Sequence, residues 1–183
     1  MEGADKIKSG NLKSLSEQQL VDCDVGDGNM GCSGGDMFTA IQYAATNGMV
    51  SEADYPYAGI DQNCQADGLT VVSRPLAAKK VNPNSAVALE TAIVNGPVSV
   101  AIEADTFVFQ FYSGGILNSK ACGTNLDHGV VAVGYGDLGT AKPYYIVRNS
   151  WGTSWGLSGY INIAIVEGQG ICGIQMEPVY AQY

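Results

Sequence analysis

Gly96-Pro97-Val98-Ser99-Val100-Ala101-Ile102 is the stretch at which this sequence changes from one kind of structure to another. Before Gly96 the apolar residues recur at helical spacing, and Gly96-Pro97 ends the last such run because proline cannot continue a helix. From Val98 onward they alternate at period two, the mark of a strand with one buried face. Val130 to Val133, Tyr144 to Val147 and Tyr160 to Ile165 carry the same strand signal. The spacing predicts a mainly helical lobe over residues 1–96 and a mainly β lobe over 97–183. A helical half followed by an antiparallel half is an α+β arrangement of two lobes, which commonly places a site in the cleft between them.

Working back from Pro97, Asn84 or Ser85 can cap a helix that runs through Val87, Leu89, Ile93 and Val94. Asp36 can cap another, with Phe38, Ile41, Ala44 and Ala45 on one apolar face before Gly48 ends it. Ser16-Glu17-Gln18-Gln19 has the spacing of a capping box and predicts a short helix to about Cys23. Residues 2–8 read as a helix that stops at Ser9-Gly10, with no capping residue in front of it. Residues 60–84 have the weakest pattern and are expected to be loop.

A chain of 183 residues with 46% hydrophobic residues can bury a real core. Its net charge of −9 and nine scattered basic residues leave no cationic surface for phosphate or anionic lipid, which argues against nucleic acid and membrane partners. No apolar run reaches the roughly 20 residues of a membrane span, and Met1-Glu-Gly-Ala-Asp-Lys6 has no signal-like core. Five cysteines, Cys23, Cys32, Cys64, Cys122 and Cys172, include no CxxC pair, and a single histidine offers little help to a metal site, so neither metal nor cofactor is expected. Scattered cysteines in a glycine-rich acidic chain suggest disulfides and an oxidising compartment, with one thiol left over.

His128 is the only histidine, so chemistry that needs an imidazole near neutral pH must use it. It opens the strand that runs to Gly136, and Asn149-Ser150-Trp151-Gly152 closes another. A hairpin joining these strands can bring the imidazole and the Asn149 amide together. An amide oxygen accepting from one ring nitrogen would fix the tautomer and turn the other nitrogen toward a nucleophile, with Trp151 keeping water off the bond. The bland alternative is a histidine satisfied at a strand start, with Trp151 and Trp155 as ordinary core.

Five stretches then bear on this choice: Asn149-Ser-Trp-Gly-Thr-Ser-Trp-Gly-Leu-Ser-Gly-Tyr160, Asp127-His-Gly-Val-Val-Ala-Val-Gly-Tyr-Gly136, Gly31-Cys-Ser-Gly-Gly35, Leu15-Ser-Glu-Gln-Gln-Leu-Val-Asp-Cys23 and Tyr55-Pro-Tyr57. All resemble papain and the cathepsins, in that family's order and over the whole chain. The resemblance implies a papain-like two-lobe fold, a helical lobe followed by a β-barrel-like one, and a cysteine endopeptidase working through a Cys-His-Asn site. It makes His128 the general base and acid, Asn149 its orienting partner and Trp151 the shield. It pairs Cys23 with Cys64 and Cys122 with Cys172, and leaves Cys32 alone.

The same resemblance exposes a departure. The family's nucleophile sits in a Cys-Gly-Ser-Cys-Trp signature roughly 130 or more residues before the histidine. No such signature occurs here, and Cys23 matches a structural cysteine instead. The expectation is therefore a chain lacking the family's N-terminal segment, with its nucleophile, its oxyanion hole and the usual partner of Cys32, and inactive alone.

By resemblance, Gly34 and Gly35 form the rim that pairs with an extended substrate. The pocket for the second residue before the cut is walled by Met37, Ala101, Leu126 and Gly129, beside Asp127. Such walls favour Leu, Val or Phe, and Glu177 falls where some relatives carry a glutamate on that pocket's floor, able to receive arginine. Glu177 also reads as an ordinary solvated acid. The family implies peptide or protein substrates, propeptide or protein inhibitors, a monomer, and a lysosomal, vacuolar or secreted setting. A non-catalytic homologue that binds peptides or partners is the other reading kept open; a carbohydrate-binding module stacking sugars on Trp151 and Trp155 is remote.

Overall fold

Capping chemistry sets the ends of the N-terminal helices in the computed structural model, which describes residues 1–183. Helix α1 (Glu2–Ser9) closes at Gly10, whose φ of 79° lets its N–H turn back to the Lys6 carbonyl. Helix α2 (Glu17–Cys23) starts where the Ser16 side chain accepts from the Gln19 N–H. Helix α3 (Met37–Asn47) starts where Asp36 accepts from the Thr39 N–H, and it ends at Gly48. The Arg74 guanidinium donates to the carbonyls of Thr46 and Asn47, satisfying the free end of α3.

Contacts divide the chain into one unit of Met1–Lys79 with Tyr180–Tyr183 and another of Lys80–Val179. In the first unit Leu15, Ala44 and Met49 form an apolar cluster against which Met1, Leu20, Tyr43 and Val72 pack. Beside it lies a buried polar network. The Asp22 carboxylate accepts from the Tyr55 hydroxyl at 2.5 Å, the Gln18 amide at 2.8 Å and the Gln62 N–H at 2.8 Å. Burial pushes the Asp22 carboxyl up, but these donors outweigh it and hold the group below the usual carboxylate range. A Cys23–Cys64 disulfide closes a 41-residue separation over the same region.

The second unit is organised by a sheet. Its strands are β1 (Ala77–Lys80), β2 (Val98–Ile102), β3 (Ile116–Leu117), β4 (His128–Gly136), β5 (Tyr144–Arg148), β6 (Tyr160–Ala164) and β7 (Val179–Gln182), in the order β1-β7-β2-β4-β5-β6-β3. The unit boundary falls within β1 and β7. Alternation works as read in β2, where Val98, Val100 and Ile102 are fully buried and Ser99 and Ala101 are not. Helix α4 (Ala86–Asn95), capped by Ser85, buries Leu89 and Ile93. The short helix α5 (Phe107–Gln110) follows β2.

Three features depart from the sequence reading. Helix α4 groups with the sheet rather than with the helices before it, because its apolar face belongs to the sheet's core and its Ala86 carbonyl accepts from the Tyr145 hydroxyl of β5. The β3–β6 pair is parallel, so the sheet is mixed rather than wholly antiparallel. Strand β1 lies inside the stretch expected to be loop.

Candidate active site

Strand β4 begins at His128, and Asn149 follows directly on the last residue of β5. The two strands are antiparallel neighbours, with Val131 opposite Arg148, so the start of one and the end of the other share one end of the sheet. There Nε2 of His128 lies 2.8 Å from Oδ1 of Asn149. The same oxygen accepts the Ser150 N–H at 2.8 Å. That second bond fixes the amide's orientation, since a flipped amide would set an NH2 group against a peptide N–H. Nε2 therefore carries the proton, and Nδ1 of the neutral ring is the free base. The Nδ2 of Asn149 is buried and has no hydrogen-bond partner. Both lone-pair directions of Oδ1 are in use, and the donor side of the amide goes unsatisfied in return.

Trp151 stacks on the imidazole, with ring centroids 5.2 Å apart and planes 28° from parallel. Its other neighbours hold it in place. Phe109, fully buried on α5, meets Trp151 edge-on at 5.5 Å and Trp155 at 5.1 Å, and the two tryptophans make an edge contact at 5.4 Å. Trp155 donates its Nε1–H to the Gln110 carbonyl. Backbone bonds from Asn149 N–H to Gly159 and from Gly159 N–H to Trp155 close the loop that carries the amide.

The other second-unit residues singled out above are Ala101, Leu126, Asp127, Gly129 and Glu177. Ala101 and Gly129 are direct cross-strand partners in β2 and β4, one step from the Ile102–His128 pair. Asp127 precedes the histidine, and its carboxylate accepts from the N–H groups of Ala104 at 2.7 Å and Asp105 at 3.2 Å. Partial burial, then the charges of Asp127 and Glu103, push the Asp105 carboxyl up. Leu126 lies over Gly173, close enough that a Cβ there would meet it at 2.7 Å. Glu177 is exposed. A Cys122–Cys172 disulfide joins the two 3-10 turns behind Leu126.

In the first unit Gly34, Gly35 and Met37 line a hollow of about 300 Å3 together with Leu20, Val21 and Asn29. Gly34 has a φ of 105°, which side chains rarely adopt, although space around it is open. Gly35 is required for a different reason: a Cβ there would stand 2.3 Å from Oδ1 of Asn29. Cys32 is free and exposed. Partial desolvation and then the neighbouring Asp61 carboxylate push its thiol up, opposite to what a nucleophile needs.

The sequence reading did not single out Ser150, Phe109 or Asn29. Ser150 acts through its backbone, which no side-chain pattern reveals. Phe109 sits in a four-residue helix too short to show a period. Asn29 lies in a glycine-rich turn where an asparagine reads as ordinary turn chemistry.

A histidine and an asparagine joined in one hydrogen bond under a tryptophan match the imidazole and amide parts of a Cys-His-Asn arrangement. The model for papain family cysteine proteases matches residues 1–182, and the chain belongs to that family. It is 44% identical over 98% of its length to the senescence-specific cysteine protease SAG39 of Oryza sativa, and 49% identical to the KDEL-tailed cysteine endopeptidase CEP2 of Arabidopsis thaliana. It covers 53% and 50% of those proteins, so it spans about half the length of the curated relatives it matches. Among solved structures, the Carica candamarcensis cysteine protease CMS1MS2 in complex with E-64 superposes with a TM-score of 0.90 at 40% identity, covering 99% of this chain and 83% of that one. The ragweed allergen Amb a 11 in its proform gives a TM-score of 0.92 at 37% identity, covering 99% of this chain and 50% of that one.

Proposed function

We propose that these residues form the imidazole half of a cysteine endopeptidase, and that the 183 residues alone do not cleave peptides. The observation that carries this reading is the His128–Asn149 hydrogen bond, with the amide fixed so that Nδ1 is left as the base. Family membership supports the reaction class. The nucleophile comes from polypeptide outside these residues, because four of the five cysteines are in disulfides and the fifth has its thiol raised. In the complete site a thiolate paired with the His128 imidazolium attacks the peptide carbonyl. The imidazolium gives its proton to the departing amine as the C–N bond breaks. The neutral ring then takes a proton from the water that hydrolyses the acyl-enzyme and returns it to the sulfur.

Gly34 and Gly35 supply main-chain partners for an extended peptide, and Ala101, Leu126 and Gly129 receive an apolar side chain two residues before the cut. Glu177 offers that same subsite a carboxylate for arginine. Two disulfides favour an oxidising setting, vacuolar, lysosomal or extracellular. A propeptide or an inhibitor is a further partner, a reading supported by the similar Carica protease being in complex with E-64 and the ragweed protein being in its proform.

The test is incubation of the purified 183-residue chain with dipeptide amides and with a thiol-directed epoxide. The expected result is neither turnover nor labelling of one unique cysteine. Epoxide-sensitive turnover would overturn the proposal and direct peptide mapping to the responsible cysteine.

A further inference from the structure

We infer that Asn29 is the positioning residue of the Gly34–Gly35 rim, setting the direction of the main-chain groups that pair with a peptide. The inference rests on the rim's proposed role in substrate binding. Asn29 is 8% exposed, and its carboxamide is engaged at both ends. Nδ2 donates to Oδ2 of Asp24 at 2.6 Å, and Oδ1 accepts the Asp36 N–H at 2.6 Å. Its backbone exchanges two bonds with Gly26, each 2.9 Å, so the side chain projects from a closed turn. Asp24 is the C-terminal capping residue of α2, and Asp36 is the N-terminal capping residue of α3. One buried amide therefore ties the residue after the rim to the end of the preceding helix.

The rim has few other restraints. The Met30 N–H reaches the Gly34 carbonyl at 2.9 Å and the Gly34 N–H reaches Gly31 at 3.2 Å, while both glycines are exposed. Glycine has the greatest backbone freedom, so without Asn29 the pair would sample many directions. Oδ1 of Asn29 also occupies the space a Cβ at Gly35 would need. The residue that fixes the rim thus also demands glycine there. A pre-set edge binds an extended peptide more tightly because less freedom is lost on pairing.

The Asp24–Asn29 pair allows an exchange of partners. Asn29→Asp alone keeps an acceptor for the Asp36 N–H but sets two carboxylates against each other. Combining it with Asp24→Asn restores one amide facing one carboxylate with the roles reversed. The experiment titrates the 15N-labelled 183-residue chain with acetyl-Phe-Leu-amide and follows the Gly34, Gly35 and Asp36 amide resonances. The wild-type chain should respond saturably. Asn29→Ala and Asn29→Asp should each weaken binding by about tenfold or more, while the Tyr55 and Gln62 signals of the Asp22 network stay in place. The double exchange should recover affinity to within about threefold of wild type. If Asn29→Ala does not fold, the near-isosteric Asn29→Asp and the double exchange decide the matter. Wild-type affinity in Asn29→Asp, or a folded double exchange no tighter than that single variant, overturns the role of Asn29. A wild-type chain whose Gly34 and Gly35 signals ignore the peptide overturns the rim reading itself, and this inference with it.

Discussion

His128 and Asn149 meet through one oxygen, Oδ1 of the amide, which lies 2.8 Å from Nε2 of the imidazole while it also accepts the Ser150 N–H. Because the backbone bond settles which amide atom faces the ring, the tautomer of His128 is set by the loop after β5 rather than by the histidine's own strand.

The tautomer is directly observable, since the chain has one histidine. Long-range proton–nitrogen correlation spectra of the neutral ring should show Nε2 protonated and Nδ1 bare. Asn149→Ala removes the acceptor and should return the ring to a mixture of tautomers, with the melting temperature reported alongside as a check on folding. A wild-type ring protonated mainly at Nδ1 would contradict the proposed base.

Acid should weaken the first unit through Asp22. Donors from Tyr55, Gln62 and Gln18 hold its carboxyl below the usual range against the opposing effect of burial. A lowered carboxyl contributes stability that is present above its unfolded value of about 3.9 and is lost as pH falls through the lower folded value. Glu17 and Asp24, raised by burial, act in the opposite sense and gain from protonation. Tyr55→Phe deletes a bond to a charged acceptor, worth about 1.5–3 kcal/mol, and each kcal/mol moves the melting point by about 2–4 °C in a chain of this size. Thermal melts at neutral pH should show that loss, and melts at a pH acid enough to protonate Asp22 should show less of it. An equal loss at both pH values would remove the charge from the explanation.

Glu177 is tested in a chain joined to a segment that carries the family's Cys-Gly-Ser-Cys-Trp signature. Glu177→Ala should lower kcat/KM for a substrate with arginine two residues before the cut by about ten- to a hundredfold, and leave the leucine substrate nearly unchanged. A parallel fall for both substrates, or no fall for either, would make Glu177 the solvated acid that its exposure also allows.

The helices with strong local signals were legible from sequence. Ser16, Asp36 and Ser85 each place a side-chain oxygen on the third residue's N–H, and the three helices begin there. Strand β2 was legible because one of its faces is wholly buried. Strands β1, β3 and β7 were not, since two to four residues cannot display an alternation and their existence depends on distant partners. The grouping of α4 with the sheet was hidden for the same reason: an apolar helix face does not say what covers it. The histidine and asparagine stood out through their motifs. The parts that hold them, the Ser150 amide, the Phe109 ring and the Trp155 bond to Gln110, are fixed by tertiary packing and leave little trace in the sequence.

The most direct test of the central claim compares turnover of a dipeptide amide by three proteins: the 183-residue chain, the same chain joined to the segment that carries the family's signature, and the joined chain with His128→Ala. The account predicts turnover by the joined chain only, with the His128→Ala protein reduced to background although it folds. Epoxide-sensitive turnover by the 183 residues alone, or undiminished turnover in the joined His128→Ala protein, would contradict it.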